Sequence, residues 1–314
     1  MTLWRKNAKN CFFFILFYLL FSCTTFDHKN PYPNMETVYY GNSHVYIFNN
    51  KTSDKLVISI EGNGWNSVLG TKDEKKWTST HIGAQLIQVL GDKYTIMIPE
   101  KFNRQPGQSY YLDMNDRIEY TANNLIDCYV NSINSFLEEY SFSTVIIVGS
   151  SEGGCLLPLI YERINDKNSI KALVSISFGG LSWYESFLVL TLRDDIPPDY
   201  KIMYQYFVDI YKPGKDTYPD SYEESIFGVT YKWFNSIRNI KPIDYYYHYI
   251  NIPVLFIHGD NDYNIPVEST VYIQDNLPDK PFNYMYYRWD HQPRTRNAVL
   301  QFRKELAEWI INHS

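Results

Sequence analysis

Short apolar runs alternate along this chain with longer segments in which apolar residues recur every three or four positions. The short runs are rich in β-branched and aromatic residues, which predicts strands. They lie at 44–50, 56–62, 95–101, 144–150, 172–179, 254–260 and 284–290. The longer segments predict helices at about 82–92, 121–140, 152–165, 267–276 and 295–313. Because most of these strands are apolar throughout, we expect an α/β fold, a mostly parallel twisted sheet with helices on both faces. The first two strands, which a polar turn-like cluster separates, are expected to form an antiparallel pair.

One long segment interrupts this alternation. About 70 residues, at about 181–251, separate the strand at 172–179 from the strand at 254–260. A structureless loop of that length is uncommon in a compact domain. The segment is rich in aromatic residues and is interpreted as a mainly helical insertion, a lid or cap. The alternative is additional core packing with no role in substrate binding.

The N-terminal segment differs from the rest of the chain. Basic side chains precede an apolar run at 11–22, which is shorter than the roughly 20 residues needed to span a bilayer. This combination predicts a secretory signal peptide over 1–22. The run ends in Leu-Phe-Ser-Cys at 20–23, which resembles a bacterial lipobox and implies lipid attachment at Cys23. The alternatives are an ordinary signal peptide or an uncleaved signal anchor.

The residues after the signal are polar and contain two prolines. We interpret 23–35 as the lipidated cysteine and a short tether, and 36–314 as the folded domain with its insertion. The resemblance implies export and attachment to a membrane through the N-terminal lipid. In a bacterium this membrane is the outer membrane or the cell surface.

Composition and charge exclude several classes of function. Of the 314 residues, 45% are hydrophobic and 17% are aromatic, and the net charge is −6. These values argue against a disordered chain and against a nucleic-acid binder, which carries a basic surface. No metal-ligand spacing and no phosphate-binding loop are present, and the glycines at 62, 64 and 70 do not fit a dinucleotide fingerprint. The sequence therefore predicts no metal and no cofactor.

A G-x-S-x-G motif lies where the apolar strand at 144–150 meets a predicted helix. Gly149, Ser151 and Gly153 are its defining residues, whereas a motif centred on Ser150 would require glycines at 148 and 152. In such a strand–turn–helix the central side chain is held at the carboxyl edge of the sheet, and small neighbours let the chain turn sharply. Ser151 is therefore the candidate nucleophile.

Two further motifs follow Ser151 in the chain. Asp262 comes just after the strand at 254–260, and His291 comes just after the strand at 284–290. Ser, Asp and His in this order, on this alternation of strands and helices, resemble the α/β-hydrolase family. The resemblance extends over about 38–314 and implies a nearly eight-stranded sheet.

The same resemblance implies a role for each of these residues. Ser151 would attack as the nucleophile, His291 would act as general base and then acid, and Asp262 would orient the imidazole. Asp260 is the alternative for the acid. His258 is the alternative for the base, although it is better explained as a hydrogen-bonded residue at the end of its strand.

The family also requires two N–H groups that bind the developing oxyanion. One is the backbone N–H of Glu152, which follows Ser151. The other is assigned to Asn63, because Glu61-Gly62-Asn63-Gly64 stands where many relatives have His-Gly-x-Gly. The alternative is a simple glycine-rich turn. The carboxylate of Glu152 would repel an oxyanion, so we expect it to point away, towards a hydrogen-bond donor, or to be protonated.

Taken with the signal segment, these motifs predict an exported, lipid-anchored serine hydrolase. Its expected partner is a small-molecule acyl substrate with a carboxylic ester or related bond. A serine peptidase or an acyltransferase of the same fold is the alternative, because the same three residues serve both. A non-catalytic binding protein is a third possibility. The aromatic insertion favours an apolar or sugar-like substrate.

Overall fold

The structure is a computed structural model. It describes residues 35–41, 43–49, 53–62, 67–69, 71–73, 76–78, 81–101, 119–215, 218–223 and 229–314. The predicted signal peptide over 1–22, Cys23, most of the tether and Asn63 lie outside these residues. Within them, no helix has both the length and the apolar character needed to cross a membrane.

The described residues form ten strands and nine α-helices. The strands are β1 (Glu36–Tyr40), β2 (Ser43–Phe48), β3 (Lys55–Ile60), β4 (Thr71–Asp73), β5 (Lys76–Thr78), β6 (Thr95–Pro99), β7 (Thr144–Ser150), β8 (Ile170–Ile176), β9 (Val254–Gly259) and β10 (Phe282–Tyr287). The helices are α1 (Ile82–Leu90), α2 (Ala122–Glu139), α3 (Glu152–Arg163), α4 (Trp183–Leu192), α5 (Pro198–Ile210), α6 (Tyr231–Ile237), α7 (Pro242–Tyr249), α8 (Glu268–Asn276) and α9 (Arg296–Asn312).

Eight of these strands form one sheet in the order β1-β2-β6-β3-β7-β8-β9-β10. Strand β2 is antiparallel to its neighbours β1 and β6. The remaining neighbours in this order, β6-β3-β7-β8-β9-β10, are parallel to one another. The predicted mostly parallel sheet is therefore confirmed. The expected pairing of the strands at 44–50 and 56–62 is wrong, because β6 lies between β2 and β3.

The sheet is buried on both faces, as its apolar strands predict. In β7, Val145 and Ile147 belong to the core that includes Leu157 of α3, whereas Ile146 and Val148 belong to the opposite core. That second core includes Leu86 of α1. Successive side chains of a strand point to opposite faces, so a strand covered on both sides must be apolar at every position.

The predicted helices outside the insertion are present, with ends that shift by about two residues at most. Strand β1 and the separate β4–β5 hairpin were not predicted. Strand β10 ends at Tyr287, before the predicted end at 290, and β8 ends at Ile176 rather than at 179.

The described residues of the insertion are mainly helical and contribute α4 to α7. Its rings pack on one another: Phe187 and Phe234 stack with centroids 5.5 Å apart, and Trp183 meets Trp233 edge-on at 5.5 Å. All four residues are buried in the same core as α3. These four aromatic side chains therefore serve as core and pack the inner side of the insertion against the nucleophile helix.

Candidate active site

Ser151 lies in the sharp turn between β7 and α3. Its backbone has φ 54° and ψ −116°, a region that non-glycine residues rarely adopt and that costs conformational energy. Its N–H donates to the carbonyl of Ile176 at 2.8 Å, and its own carbonyl accepts from the N–H of Cys155. The turn thus holds the Ser151 side chain above the carboxyl edge of the sheet.

The two glycines of the motif are required by close contacts. A Cβ on Gly149 would lie 2.5 Å from the carbonyl oxygen of Gly153. A Cβ on Gly153 would lie 2.3 Å from the carbonyl oxygen of Ile60, at the end of the neighbouring strand β3. These distances are shorter than any van der Waals contact, so the spacing read from the sequence has a steric cause.

The structure brings Ser151 and His291 into hydrogen-bonding distance. Nε2 of His291 lies 2.9 Å from Oγ of Ser151, whereas Ser150 is the last residue of β7 and is paired in the sheet with Ile176. The His291 loop is held by Ser177, whose hydroxyl donates to the carbonyl oxygen of His291 at 2.7 Å. Ser177 also has a positive φ of 55°, and no sequence motif points to its role.

Asp262 lies on the other side of the His291 ring. Its Oδ2 is 2.8 Å from Nδ1 of His291, and its Oδ1 accepts from the N–H groups of Asn264 and Ile265 at 2.8 and 3.0 Å. The carboxylate is fully buried, while the His291 side chain remains 17% exposed. Because a carboxylate can only accept, Nδ1 carries the proton and Nε2 is free to take one from Ser151.

The three groups shift one another's pKa. Burial alone would raise the pKa of Asp262, but the charge of His291 and hydrogen bonds from His258 and His291 hold it well below its usual range. Burial alone would lower the pKa of His291, but the charge and hydrogen bond of Asp262 raise it above its ordinary value. This arrangement keeps Asp262 ionised and increases the basicity of His291.

The residues considered as alternatives to Asp262 and His291 do not contact Ser151 in a way that would let them replace either residue. The side chain of Asp260 is exposed. His258 is fully buried at the end of β9, as the strand-end interpretation predicts, and it contacts Asp262 rather than Ser151. Asp290, beside His291, forms an ion pair with Arg294.

The loop after β3 approaches Ser151 closely. A Cβ on Gly62 would lie 3.0 Å from Cβ of Ser151 and 3.2 Å from the carbonyl oxygen of Ser150. On the other side, Glu152 is the first residue of α3, where N–H groups have no acceptor within the helix. The N–H of Glu152 is therefore available for an anion at this position. Asn63, the second predicted donor, lies outside the described residues.

Glu61 takes the place of the histidine in the related motif and has a structural role. Its carboxylate accepts from the N–H groups of Ile82 and Gly83, at 3.1 and 2.7 Å, and from the hydroxyl of Ser59 at 2.8 Å. It thereby caps the N-terminus of α1, where negative charge is favourable. Although its burial acts to raise the pKa of Glu61, these contacts and His81 at 3.5 Å lower it below its ordinary value.

The Glu152 carboxylate turns towards hydrogen-bond donors, which is one of the two arrangements expected from the sequence. Its Oε1 accepts from the indole N–H of Trp233 at 2.6 Å, and its Oε2 accepts from the hydroxyl of Tyr120 at 3.1 Å. Burial raises the pKa of Glu152, against the charge of Lys101 and these two hydrogen bonds. Neither donor was predicted, since Trp233 lies about 80 residues further along the chain and no local pattern relates it to the motif.

In the described part of the chain, no group of three or more histidine, cysteine, aspartate or glutamate side chains is arranged to hold a metal ion. The residues around Ser151 instead supply a hydroxyl, an imidazole, a carboxylate and a backbone N–H. Such a set can transfer a proton from the hydroxyl to the imidazole and stabilise negative charge beside it.

No protein-family model matches the chain, and no curated protein sequence is significantly similar to it. Many solved structures are similar. Acylaminoacyl peptidase from Pyrococcus horikoshii has a TM-score of 0.58 at 13% identity, over 89% of this chain and 42% of the peptidase. Est1E from Butyrivibrio proteoclasticus has a TM-score of 0.56 at 14% identity, over 89% and 98% of the two chains.

The chain has the α/β-hydrolase fold. An esterase from Pyrococcus furiosus is similar over 89% of this chain and 91% of its own length, with a TM-score of 0.57 at 12% identity. In a further structure of Est1E, ferulic acid is bound. This chain therefore spans less than half of the acylaminoacyl peptidase but nearly the whole length of the two other proteins.

Proposed function

We propose that the chain is a serine hydrolase that cleaves a carboxylic ester through an acyl-enzyme intermediate. The observation that carries this proposal is the continuous hydrogen-bonded series from Ser151 through His291 to Asp262, with Ser151 held in a strained turn. A serine hydroxyl becomes an effective nucleophile when a positioned base accepts its proton. The esterases that share the fold over nearly their full length support the same reaction class.

In the first half-reaction, Oγ of Ser151 attacks the acyl carbon while its proton moves to Nε2 of His291. The carbonyl oxygen becomes negative and is bound by the N–H of Glu152 and, in this proposal, by the N–H of Asn63. Asp262 stabilises the imidazolium that forms. His291 then gives its proton to the leaving alkoxide, and the carbon–oxygen bond of the ester breaks.

In the second half-reaction, water attacks the acyl group on Ser151. His291 takes a proton from the water and returns one to Oγ of Ser151, so that the acid is released and the enzyme is restored. An acyltransferase would use the same residues with an alcohol or amine in place of the water.

A peptidase is the second candidate, because acylaminoacyl peptidase has the same fold. The ester is favoured because this chain spans 42% of that peptidase, whereas it spans 98% of Est1E and 91% of the Pyrococcus furiosus esterase. The ferulic acid bound to Est1E makes aryl esters a suitable first class of substrates to assay.

The nucleophile is tested by labelling the full chain with a fluorophosphonate probe. We expect Ser151 to be labelled, Ser151→Ala to abolish labelling, and Ser150→Ala, the matched neighbour, to retain most of it. Labelling that survives Ser151→Ala would contradict the assignment of Ser151. A wild-type chain that takes no label would favour the non-catalytic binding protein.

The reaction class is tested with p-nitrophenyl esters of increasing acyl length beside peptide p-nitroanilides. We expect Ser151-dependent hydrolysis of the esters to exceed that of the anilides in kcat/KM. The opposite preference would favour the peptidase. Product analysis with added alcohol distinguishes transfer from hydrolysis.

We also propose that the chain is exported and anchored through a lipid on Cys23, on the strength of the apolar run at 11–22 and the residues at 20–23. Mass spectrometry of the native N-terminus tests this proposal. A mature chain that begins with lipid-modified Cys23 is the expected result. An unmodified Cys23, or a mature chain that begins at another residue, would refute the anchor without affecting the hydrolase.

A further inference from the structure

A second histidine contacts the carboxylate of Asp262. His258 lies in β9 and is fully buried. Its Nε2 is 3.3 Å from Oδ2 of Asp262 and 3.0 Å from the carbonyl oxygen of Ile265, while its Nδ1 is 2.7 Å from Oγ1 of Thr270. Both ring nitrogens of this buried imidazole are therefore engaged, and one of them faces the candidate acid.

The partners of His258 determine where its protons lie. The carbonyl oxygen of Ile265 and the ionised carboxylate of Asp262 can only accept, so Nε2 must carry a hydrogen that the two oxygens share. In the neutral imidazole, Nδ1 then accepts from the hydroxyl of Thr270. The tautomer with the proton on Nε2 is thus selected, and it donates to Asp262.

With His258 included, each oxygen of Asp262 has two donors. Oδ1 accepts from the N–H groups of Asn264 and Ile265, and Oδ2 accepts from Nδ1 of His291 and Nε2 of His258. Without His258, the position of Oδ2 would depend on the hydrogen bond from His291, which lies in a loop. The second donor on Oδ2 comes from a strand of the sheet, which is more rigid than a loop.

We propose that His258 is a positioning residue for the reaction, which acts on His291 only through Asp262. This inference rests on the proposed serine hydrolase. Part of the negative charge on Oδ2 is taken up by His258, so less of it acts on His291. Without that donor, Asp262 would stabilise the His291 imidazolium more strongly, and the pKa of His291 would move further upward.

Other charged groups also face this pair and stay unchanged when His258 is replaced. Nη1 of Arg193 lies 3.4 Å from the carbonyl oxygen of Asp262. The charge of Asp290 acts to raise the pKa of His291, and that of Arg294 acts to lower it. A change in the His291 titration on replacing His258 therefore reports on the contact between His258 and Asp262.

Two amide side chains of different length distinguish the roles of the two ring nitrogens of His258. The amide nitrogen of His258→Gln reaches the position of Nε2 and can donate to Asp262. The shorter His258→Asn reaches only the position of Nδ1, next to Thr270. Both variants are polar and remove the ring, so they form a matched pair, and His258→Leu removes both contacts.

The experiment is a titration of the His291 ring by NMR in the full-length wild-type chain and each variant, beside the pH dependence of kcat/KM for a p-nitrophenyl ester. In His258→Asn and His258→Leu we expect the pKa of His291 to rise and kcat to fall by roughly tenfold, the effect of about one hydrogen bond. We expect His258→Gln to stay near wild type in both readouts. KM should not change, because His258 is fully buried.

Equal His291 titrations in the Asn and Gln variants would overturn the proposal and leave His258 with a packing role alone. If His258→Leu does not fold, the comparison of His258→Asn with His258→Gln still tests the proposal. The NMR titration needs no turnover. An absence of Ser151-dependent hydrolysis would therefore refute the proposed function while the contact between His258 and Asp262 is still tested.

Discussion

The indole N–H of Trp233 donates a 2.6 Å hydrogen bond to Oε1 of Glu152, the residue that follows Ser151. The bond joins α6 of the insertion to the first turn of the nucleophile helix. The hydroxyl of Tyr120 donates to the other oxygen of the same carboxylate. Glu152 thus directs its N–H towards Ser151 and its carboxylate towards the insertion, and the hydrogen bond from Trp233 links α6 directly to the nucleophile helix.

Glu152→Gln should preserve this arrangement, because its amide oxygen can accept from Trp233 while the hydroxyl of Tyr120 accepts from its amide nitrogen. We expect kcat to stay within about threefold of wild type, less than ~1 kcal/mol. Glu152→Ala leaves the buried indole N–H without an acceptor and should cost about 1–3 kcal/mol in the free energy of unfolding. Urea unfolding and ester turnover of both variants check this prediction. A large loss of kcat in the Gln variant would show that the charge itself is needed.

The raised pKa of Glu152 also predicts a pH dependence of stability. The folded state holds this proton more tightly than the unfolded state, so the wild type should lose stability as pH rises from about 4.3 through the folded pKa. Glu152→Gln lacks this loss. We therefore expect the variant to gain stability relative to wild type in urea titrations as pH rises above about 4.3, until the folded pKa of Glu152 is passed. A difference that does not change with pH would mean that Glu152 is ionised throughout.

Trp233→Phe should remove the donor and leave Oε1 of Glu152 buried without it. Trp183→Phe is the matched control, since it truncates a neighbouring indole of the same cluster, whose N–H interacts with the thiol of Cys155 rather than with a carboxylate. We expect the Trp233 variant to be less stable than the control by about 1.5–3 kcal/mol, the range for hydrogen bonds to charged groups. Equal losses in the free energy of unfolding would assign the effect to ring packing alone.

Glu61→Gln should weaken the cap of α1, because an amide cannot accept from both Ile82 and Gly83 as the carboxylate does. At pH 7 we expect a loss of about 1–3 kcal/mol. The pKa of Glu61 is lowered on folding, so its contribution is present above about pH 4.3 and is lost as pH falls through the folded pKa. The gap between wild type and variant should therefore narrow below pH 4.3. A gap that persists at lower pH would contradict the lowered pKa.

Asp262→Asn should lower kcat by about 10⁴, because an asparagine amide favours the wrong tautomer of His291. In the wild type, kcat/KM should rise with pH through a His291 pKa above the ordinary value of about 6.5, since the neutral imidazole is the base. Asp260→Asn, in the same loop but exposed, is the control and should retain activity. A comparable loss in the Asp260 variant would transfer the role of acid to that residue.

Gly153→Ala should displace the nucleophile turn, since its Cβ would lie 2.3 Å from the carbonyl oxygen of Ile60. We expect a loss of about 1–3 kcal/mol from overpacking together with loss of probe labelling at Ser151. Gly91→Ala is the control: nothing lies within 4 Å of its Cβ, and only its positive φ is strained. That variant should lose about 1–3 kcal/mol from backbone strain and keep full labelling, so labelling is the readout that separates the two variants.

Most of the fold could be read from the order of apolar patterns. The strands from β7 onward and the helices around them follow local periodicity, and a strand buried on both faces has few alternatives in sequence. Strand order could not be read in the same way. The insertion of β6 between β2 and β3 depends on which edges meet in space, and two consecutive strands usually pair.

Part of the candidate site could likewise be predicted from local sequence, and part could not. The motif at 149–153 and the order of Ser151, Asp262 and His291 are local features, and the steric limits at Gly149 and Gly153 explain the motif's spacing. Three other features of the site are contacts that no sequence motif encodes. They are the hydrogen bond from Trp233 to Glu152, the contact of His258 with Asp262 and the capping of α1 by Glu61.

By itself, the sequence determined the succession of strands and helices, the position of the sharp turn at Ser151 and the three side chains expected to act together. It also required the Glu152 carboxylate either to turn away from an oxyanion or to be protonated. Only the tertiary structure decided where that carboxylate goes, which buried groups surround Asp262 and which strands are neighbours. The physical reason is that backbone geometry and burial are encoded locally, whereas a hydrogen bond between distant residues exists only once packing has brought its donor and acceptor together.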